Sequence, residues 1–379
     1  MISNRRWLTA AFLAASFWLA GCSPANEPVD AAPASVAETT ERTAAVAIPD
    51  KYGAQVAEDV LRAGGNAVDA AVAVGFSMAV TFIDAGNIGG GGFMMIYMDG
   101  TPAFLDYREA AALAAHRDMY LDEDGEVIEN ASLIGAQAAG VPGTVAGLWE
   151  AHQRYGRLPW KDLVMPAVEL AEEGFLPAQA LVDDIHSMKD WFGDATGFYD
   201  HFGSISAEQP FRQPELGKTL RRIAEHGPED FYRGETARLI VGEMERSNGL
   251  ITAEDLERYR AVWREPLRTP WRSYEILAAP PPSSGGFALI QLLKMKDYLA
   301  DHFDGVPHNS PQYIHLVAEM EKRVFADRAE YLGDPDYVDN PIARLIADDY
   351  IAQRARQVNP DEISQLDAVQ PGLESPDTT

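Results

Sequence analysis

Cysteine occurs once in 379 residues, at Cys22. A single thiol excludes a disulfide within the chain and a cysteine-based metal site. The eight histidines contain no His-x-x-x-His pair, and none stands with carboxylates in a metal-ligand spacing, so neither a catalytic metal nor another cofactor is expected. Basic residues are also scarce, 31 Lys and Arg against 58 Asp and Glu, for a formal charge of −27. That balance argues against nucleic acid and an anionic membrane surface as partners, and an anionic substrate would need a locally basic site. No internal repeat is evident, and the apolar run Trp7–Ala20 falls short of the roughly 20 residues of a membrane span. Apolar residues, by contrast, are plentiful. At 46% hydrophobic and 23% charged, the chain has the composition of a globular protein with a large core.

Arg5 and Arg6 precede that apolar run, and "LAGC" follows it. The pattern is a targeting segment, residues 1–21, ending in a tetrapeptide that resembles a bacterial lipobox. Cleavage after Gly21 would leave Cys22 as a lipidated N-terminus, with an ordinary cleaved signal as the alternative. Residues 22–44 are Pro, Ala, Thr and acidic residues without apolar periodicity, which is the composition of a flexible tether. Apolar density rises at Val46 and stays high, so 45–377 reads as one folded unit.

Within it, Tyr52–Leu61 has helical character and stops at Gly64-Gly65, and "NAVDAAVAVGFSMAV" supplies a second helix apolar enough to be buried on most sides. The loop Gly86–Gly92 then precedes two extended runs that flank Asp99-Gly100, a dipeptide suited to a type I′ hairpin. Nucleotide loops follow a strand and open a helix, whereas this one follows a helix and opens a strand, with no Gly-Lys-Ser/Thr after it. Close backbone approach to another segment or to a ligand, or a simple bulge, remains. Thr252 with Asp255 forms a capping box, Asp162–Gly174 reads as an amphipathic helix, and Ser310-Pro311 opens a helix with Ile314, Val317, Met320 and Val324 on its apolar face. "PPPSSGG", Pro280–Gly286, offers hydroxyls at Ser283 and Ser284 but no Gly-x-Ser-x-Gly, so a rigid turn between a strand and a helix competes with a nucleophile. Arg108, at the end of the hairpin in "LDYRE", could hold a carboxylate through two parallel hydrogen bonds, or pair locally with Asp106 or Glu109.

The segments "EDVLRAGGNAVDAAVAVGFSMAV", "AGNIGGGGFM", "LDYREAA", "GVPGTVAGLWEAHQRYGRLPW", "GPEDFYRGE", "GLITAEDLERYRAVWREPLR", "PPPSSGG" and "ADRAEYLGDPDYV" resemble, in order, the large-subunit part of gamma-glutamyltranspeptidases. The resemblance implies an α+β fold, the four-layer αββα sandwich of N-terminal-nucleophile hydrolases, incomplete without strands of the small subunit. It implies self-cleavage between Asp377 and Thr378, which leaves 378–379 as the start of the small subunit and Thr378 as the catalytic nucleophile. Arg108 would clamp the α-carboxylate of a gamma-glutamyl donor such as glutathione, and the acyl group would pass to water or to an acceptor amino acid or peptide. The implied partners are these small molecules, the small subunit of the same precursor, and a membrane leaflet reached by lipid at Cys22, with the body periplasmic. A related glutaryl or cephalosporin acylase and a non-catalytic lipoprotein binding module are the rival readings.

Overall fold

A computed structural model describes residues 44–192 and 196–373. Cys22, Asp377 and Thr378, with the targeting segment and nearly all of the tether, lie outside the described residues. The chain divides into two compact units at Ala45–Val46, and all the described helices and strands belong to the second.

Its N-terminal half is built around one buried helix. Lys51–Arg62 is capped by Asp50, whose carboxylate accepts the Gly53 N–H at 2.7 Å and the Thr81 hydroxyl at 2.7 Å. The next helix, Ala67–Thr81, starts in a reciprocal capping box between Asn66 and Asp69, which satisfies amides that burial would otherwise orphan. Its residues are mostly Ala and Val, small enough for neighbours to approach from several sides, and Val72, Ala73, Phe76 and Val80 are fully buried. Lys51–Arg62 and Trp160–Glu173 pack against it, and Pro214–His226 packs on the latter. Trp160 seals the junction, edge-on to Phe76 at 5.4 Å, with its indole N–H donating to the Ile223 carbonyl at 2.9 Å. Each large apolar side chain buried here contributes roughly 1.5–3 kcal/mol before ordering costs.

The expected hairpin is present: Phe93–Met98 pairs antiparallel with Thr101–Asp106, and Val262–Arg264 adds a third strand beside Asp106. Asp99 and Gly100 both have positive φ, 51° and 77°, as a type I′ turn requires. The capping box of Thr252 and Asp255 opens Ala253–Arg258. "PPPSSGG" links the strand Tyr274–Ala278 to the helix Gly285–Tyr298, and that helix packs with Pro311–Tyr331 and Asp348–Ala355 around a second core of Phe287, Met295, Leu316, Met320 and Val324.

One expected core position is wrong. Ile314 is 57% exposed, because it sits about 200° around the Pro311–Tyr331 helix from the buried Leu316. Glu319, Arg323 and Asp327 are buried on that helix instead. Mixed helices and antiparallel strands make the described chain α+β.

Candidate functional site

Arg108 leaves the hairpin two residues beyond its last paired position, Asp106. Its side chain is exposed, and its backbone is held at both ends. The Arg108 N–H donates to Asp106 Oδ1 at 3.1 Å, and its carbonyl accepts the Tyr259 hydroxyl at 2.7 Å. Burial, reinforced by Tyr232 and by Asp106, pushes the Tyr259 phenol far above its ordinary pKa. Tyr259 therefore stays protonated and donates. Its ring stacks on Tyr232 with a centroid distance of 5.8 Å, and Tyr232 donates in turn to the Pro142 carbonyl at 2.8 Å.

The glycine loop lies against this same backbone. Gly92 and Tyr107 exchange both backbone hydrogen bonds, at 3.2 and 3.0 Å, which carries the hairpin ladder one step beyond the paired strands. A Cβ on Gly91 would stand 2.5 Å from the Tyr107 carbonyl oxygen and 2.9 Å from the Arg108 carbonyl carbon, so only glycine fits without displacing that backbone. The Gly90 carbonyl accepts the N–H groups of Gly143 and Thr144, at 2.7 and 3.0 Å, where the helix Thr144–Tyr155 begins. The loop thus approaches another protein segment, one of the alternatives its sequence left open.

The expected local ion pair of Arg108 is absent, and the reason is geometric. Asp106, buried, turns its Oδ2 to Arg264 at 2.8 Å, and Arg264 reaches on to Asp336 through two hydrogen bonds of 2.9 and 2.7 Å. Its hydrogen bonds to Asp336 and Asp106 raise the Arg264 pKa against the opposing effect of burial, and Arg264 in turn lowers that of Asp336. With Asp106 committed in this way, Arg108 forms no ion pair among the described residues. An exposed guanidinium on a fixed backbone can receive a carboxylate from solution by two parallel hydrogen bonds.

The other candidates are occupied. Ser283 Oγ accepts the Gly285 N–H at 3.2 Å and Ser284 Oγ accepts Arg328 Nε at 2.9 Å, and neither is bonded to a histidine among the described residues. No cluster of three or more His, Cys, Asp or Glu that could hold a metal ion occurs among the described residues. Tyr107, Tyr259, Arg264 and Asp336 were not singled out from the sequence. Their signals, an aromatic beside Arg108 and charged residues inside quoted segments, are ordinary composition until the fold brings residues 106, 108, 259, 264 and 336 together.

Residues 53–379 match the model of the gamma-glutamyltranspeptidase family, and the chain belongs to that family. A glutathione hydrolase proenzyme of Pseudomonas aeruginosa is 55% identical over 351 residues, which are 93% of this chain and 63% of that protein. The glutathione hydrolase proenzyme of Escherichia coli is 38% identical over 385 residues, 98% of this chain and 65% of that one. The chain therefore spans less than two thirds of either relative. Among solved structures, the gamma-glutamyltranspeptidase of Pseudomonas nitroreducens complexed with L-DON superposes with a TM-score of 0.86 at 56% identity, covering 87% of this chain and 99% of that chain.

Proposed function

We propose that this chain supplies the donor-binding half of a self-processing enzyme that hydrolyses or transfers the gamma-glutamyl group of glutathione and related compounds. The observation that carries the reading is Arg108, exposed and unpaired among the described residues on a backbone pinned by Asp106, Tyr259 and Gly91. Family membership supports it.

In this reading the Arg108 guanidinium binds the α-carboxylate of the donor. Thr378 is the nucleophile. In the precursor its hydroxyl attacks the Asp377 carbonyl carbon, the Asp377–Thr378 C–N bond breaks, and the hydroxyl proton passes to the departing nitrogen. Water then opens the resulting ester, leaving a carboxylate on Asp377 and restoring the threonine hydroxyl. The freed α-amino group, with a pKa of roughly 7.7–8.0, can act as base for the neighbouring hydroxyl at neutral pH. Attack on the gamma-carbonyl of the donor gives a threonine ester and releases an amine, and water or an acceptor amine resolves that ester. Strands of the small subunit complete a four-layer αββα sandwich with 45–377, residues 1–21 are removed, and 22–44 tether the body to lipid on Cys22.

Expressed with its downstream coding sequence, the precursor is expected to split between Asp377 and Thr378, and Thr378→Ala is expected to remain one band. The processed protein should release the chromophore from a gamma-glutamyl anilide much faster than from a glutaryl anilide, which keeps the terminal carboxylate but lacks the α-amino group. A smaller fragment beginning at any residue but Thr378, or a preference for the glutaryl substrate, would overturn the reading.

A further inference from the structure

The helix Pro311–Tyr331 buries four charged groups that the proposed chemistry does not use. Glu319, Arg323 and Asp327 lie on it, and Arg354 reaches it from Asp348–Ala355. Buried ions are costly unless each is paired and hydrogen-bonded. Here Glu319 pairs with Arg323 and Lys322 and Asp327 with Arg354, and further hydrogen bonds run to the last described segment of the chain, residues 357–373. Going up the helix, Gln312 donates to the Pro360 carbonyl at 2.8 Å. Glu319 Oε1 accepts the Ser364 N–H at 3.0 Å, and Lys322 donates to the Ser364 carbonyl at 2.7 Å. Asp327 Oδ1 accepts the Gly372 N–H at 2.9 Å while pairing with Arg354 at 3.0 Å, and Arg354 also donates to the Gln370 carbonyl at 3.1 Å. Tyr331, in the last turn, donates to the Leu373 carbonyl at 2.9 Å and accepts its N–H at 3.1 Å.

From Ser364 onward the order is the same on both sides, whereas His315 and Arg323 reach back to the Asn359 and Gln357 carbonyls. Positions 312, 319, 327 and 331 of the helix take 360, 364, 372 and 373 of the strap. Apolar contact holds this strap only at its ends, where Val358 is buried in the second core and Leu373 packs against it. No residue from 359 to 373 is buried, and Ile363 and Leu366 are 72% and 76% exposed. Its course is therefore set by hydrogen bonds to the helix, and the last of these, at Leu373, lies five residues before Thr378.

We propose that the polar stripe Glu319–Asp327–Tyr331, with Arg354, is the positioning device for self-cleavage: it fixes the chain at Gly372–Leu373 and so shortens the tether on which the Asp377–Thr378 bond is presented. This rests on the assignment of Thr378 as the cleavage nucleophile. From Leu373, five residues reach at most about 17 Å. With the hydrogen bonds to Gly372 and Leu373 lost and the Arg354–Gln370 bond left as the last, the tether grows to eight residues, and the local concentration of a tethered group falls as about the −3/2 power of its length, or roughly twofold. Tyr331, Asp327 and Arg354 act through the chain they hold and touch no reacting atom. Their effect belongs to the uncut precursor, since cleavage detaches Thr378 from the strap.

The test uses full-length precursor carrying Tyr331→Phe, Asp327→Asn or both, and follows conversion to two bands with time, the melting temperature, and the kinetic constants per cleaved molecule with a gamma-glutamyl anilide. The expected result is cleavage slowed about twofold or more in the double variant, an intermediate delay in Tyr331→Phe, and unchanged KM and kcat per cleaved molecule. Cleavage at the wild-type rate in a folded double variant overturns the inference. So does a loss of turnover per cleaved molecule that matches the loss of processing, because that is a general structural defect. If Asp327→Asn does not fold, Tyr331→Phe alone decides. Cleavage persisting in Thr378→Ala overturns the nucleophile assignment instead, which separates the two failures.

Discussion

Arg108 illustrates how a single residue acquires a role from what its neighbours do. Adjacent to Asp106 and Glu109 in sequence, it would be neutralised if either carboxylate turned toward it, yet Asp106 is spent on Arg264 and on the Arg108 amide. Sequence proximity therefore misleads, and the fold decides. In the processed enzyme, Arg108→Gln is expected to raise KM for a gamma-glutamyl anilide and lower kcat/KM more than tenfold, corresponding to about 2–5 kcal/mol for a lost bidentate charged contact. Arg108→Lys should recover part of that loss through its charge alone. Processing into two bands should proceed normally in both variants, because the proposed clamp would contact donor only. Steady-state kinetics that match wild type would remove Arg108 from the donor site.

The elements that form the site divide into those the sequence announces and those it does not. Capping boxes at Asn66 and Thr252 and the turn at Asp99-Gly100 depend on residues within four positions of one another, so their chemistry can be read from short windows. The glycine loop cannot be read that way. Its glycines serve a segment about sixteen residues further on, and the sequence alone leaves bulge, ligand and backbone approach equally open. The same holds for Tyr259 and Arg264, whose partners lie about 150 residues away in the chain. The Pro311–Tyr331 helix misled in another manner, since its buried face is partly charged and an apolar pattern alone picks Ile314. The loop carries a direct test. Gly91→Ala places a Cβ against backbone atoms of Tyr107, Arg108 and Glu109 that cannot rotate away, whereas a Cβ on Gly89 meets nothing within 4 Å. Gly91→Ala should lower the melting temperature, at a cost of about 1–3 kcal/mol, and raise KM for the donor. Gly89→Ala should leave both near wild type. Equal behaviour of the two variants would remove the loop from the support of Arg108.

At the scale of the molecule, charge dominates. Several carboxylates of this strongly acidic chain are held below their ordinary pKa, so stability should fail from the acid side. Burial alone would raise Glu319, but hydrogen bonds from Lys322, Ser364 and Arg323 outweigh it and hold the group at about 2, against 4.5 when free. A depressed carboxylate contributes its full stabilisation above the free value and loses it as pH falls through the folded one. The melting temperature should therefore decline between pH 4.5 and about 2, with a shallower decline in Glu319→Gln if that variant folds. An acidic body also gains little from an anionic lipid surface, so the proposed membrane attachment would have to be covalent. Cys22 behind "LAG" offers the site, and the composition of residues 22–44 would hold the body clear of the leaflet. One acyl chain anchors only marginally, so stable attachment needs more than one on the lipidated terminus. In a bacterium with two membranes, Ser23 directly after the cysteine fits sorting to the outer membrane, which would turn the proposed site toward periplasmic gamma-glutamyl peptides. Cell fractionation tests this. Wild-type protein should sediment with membranes at high salt and dissolve in detergent, and Cys22→Ser should either appear in the soluble fraction or retain its uncut leader. Wild-type protein recovered wholly in the soluble fraction would show that the cysteine carries no lipid and that the leader is an ordinary export signal.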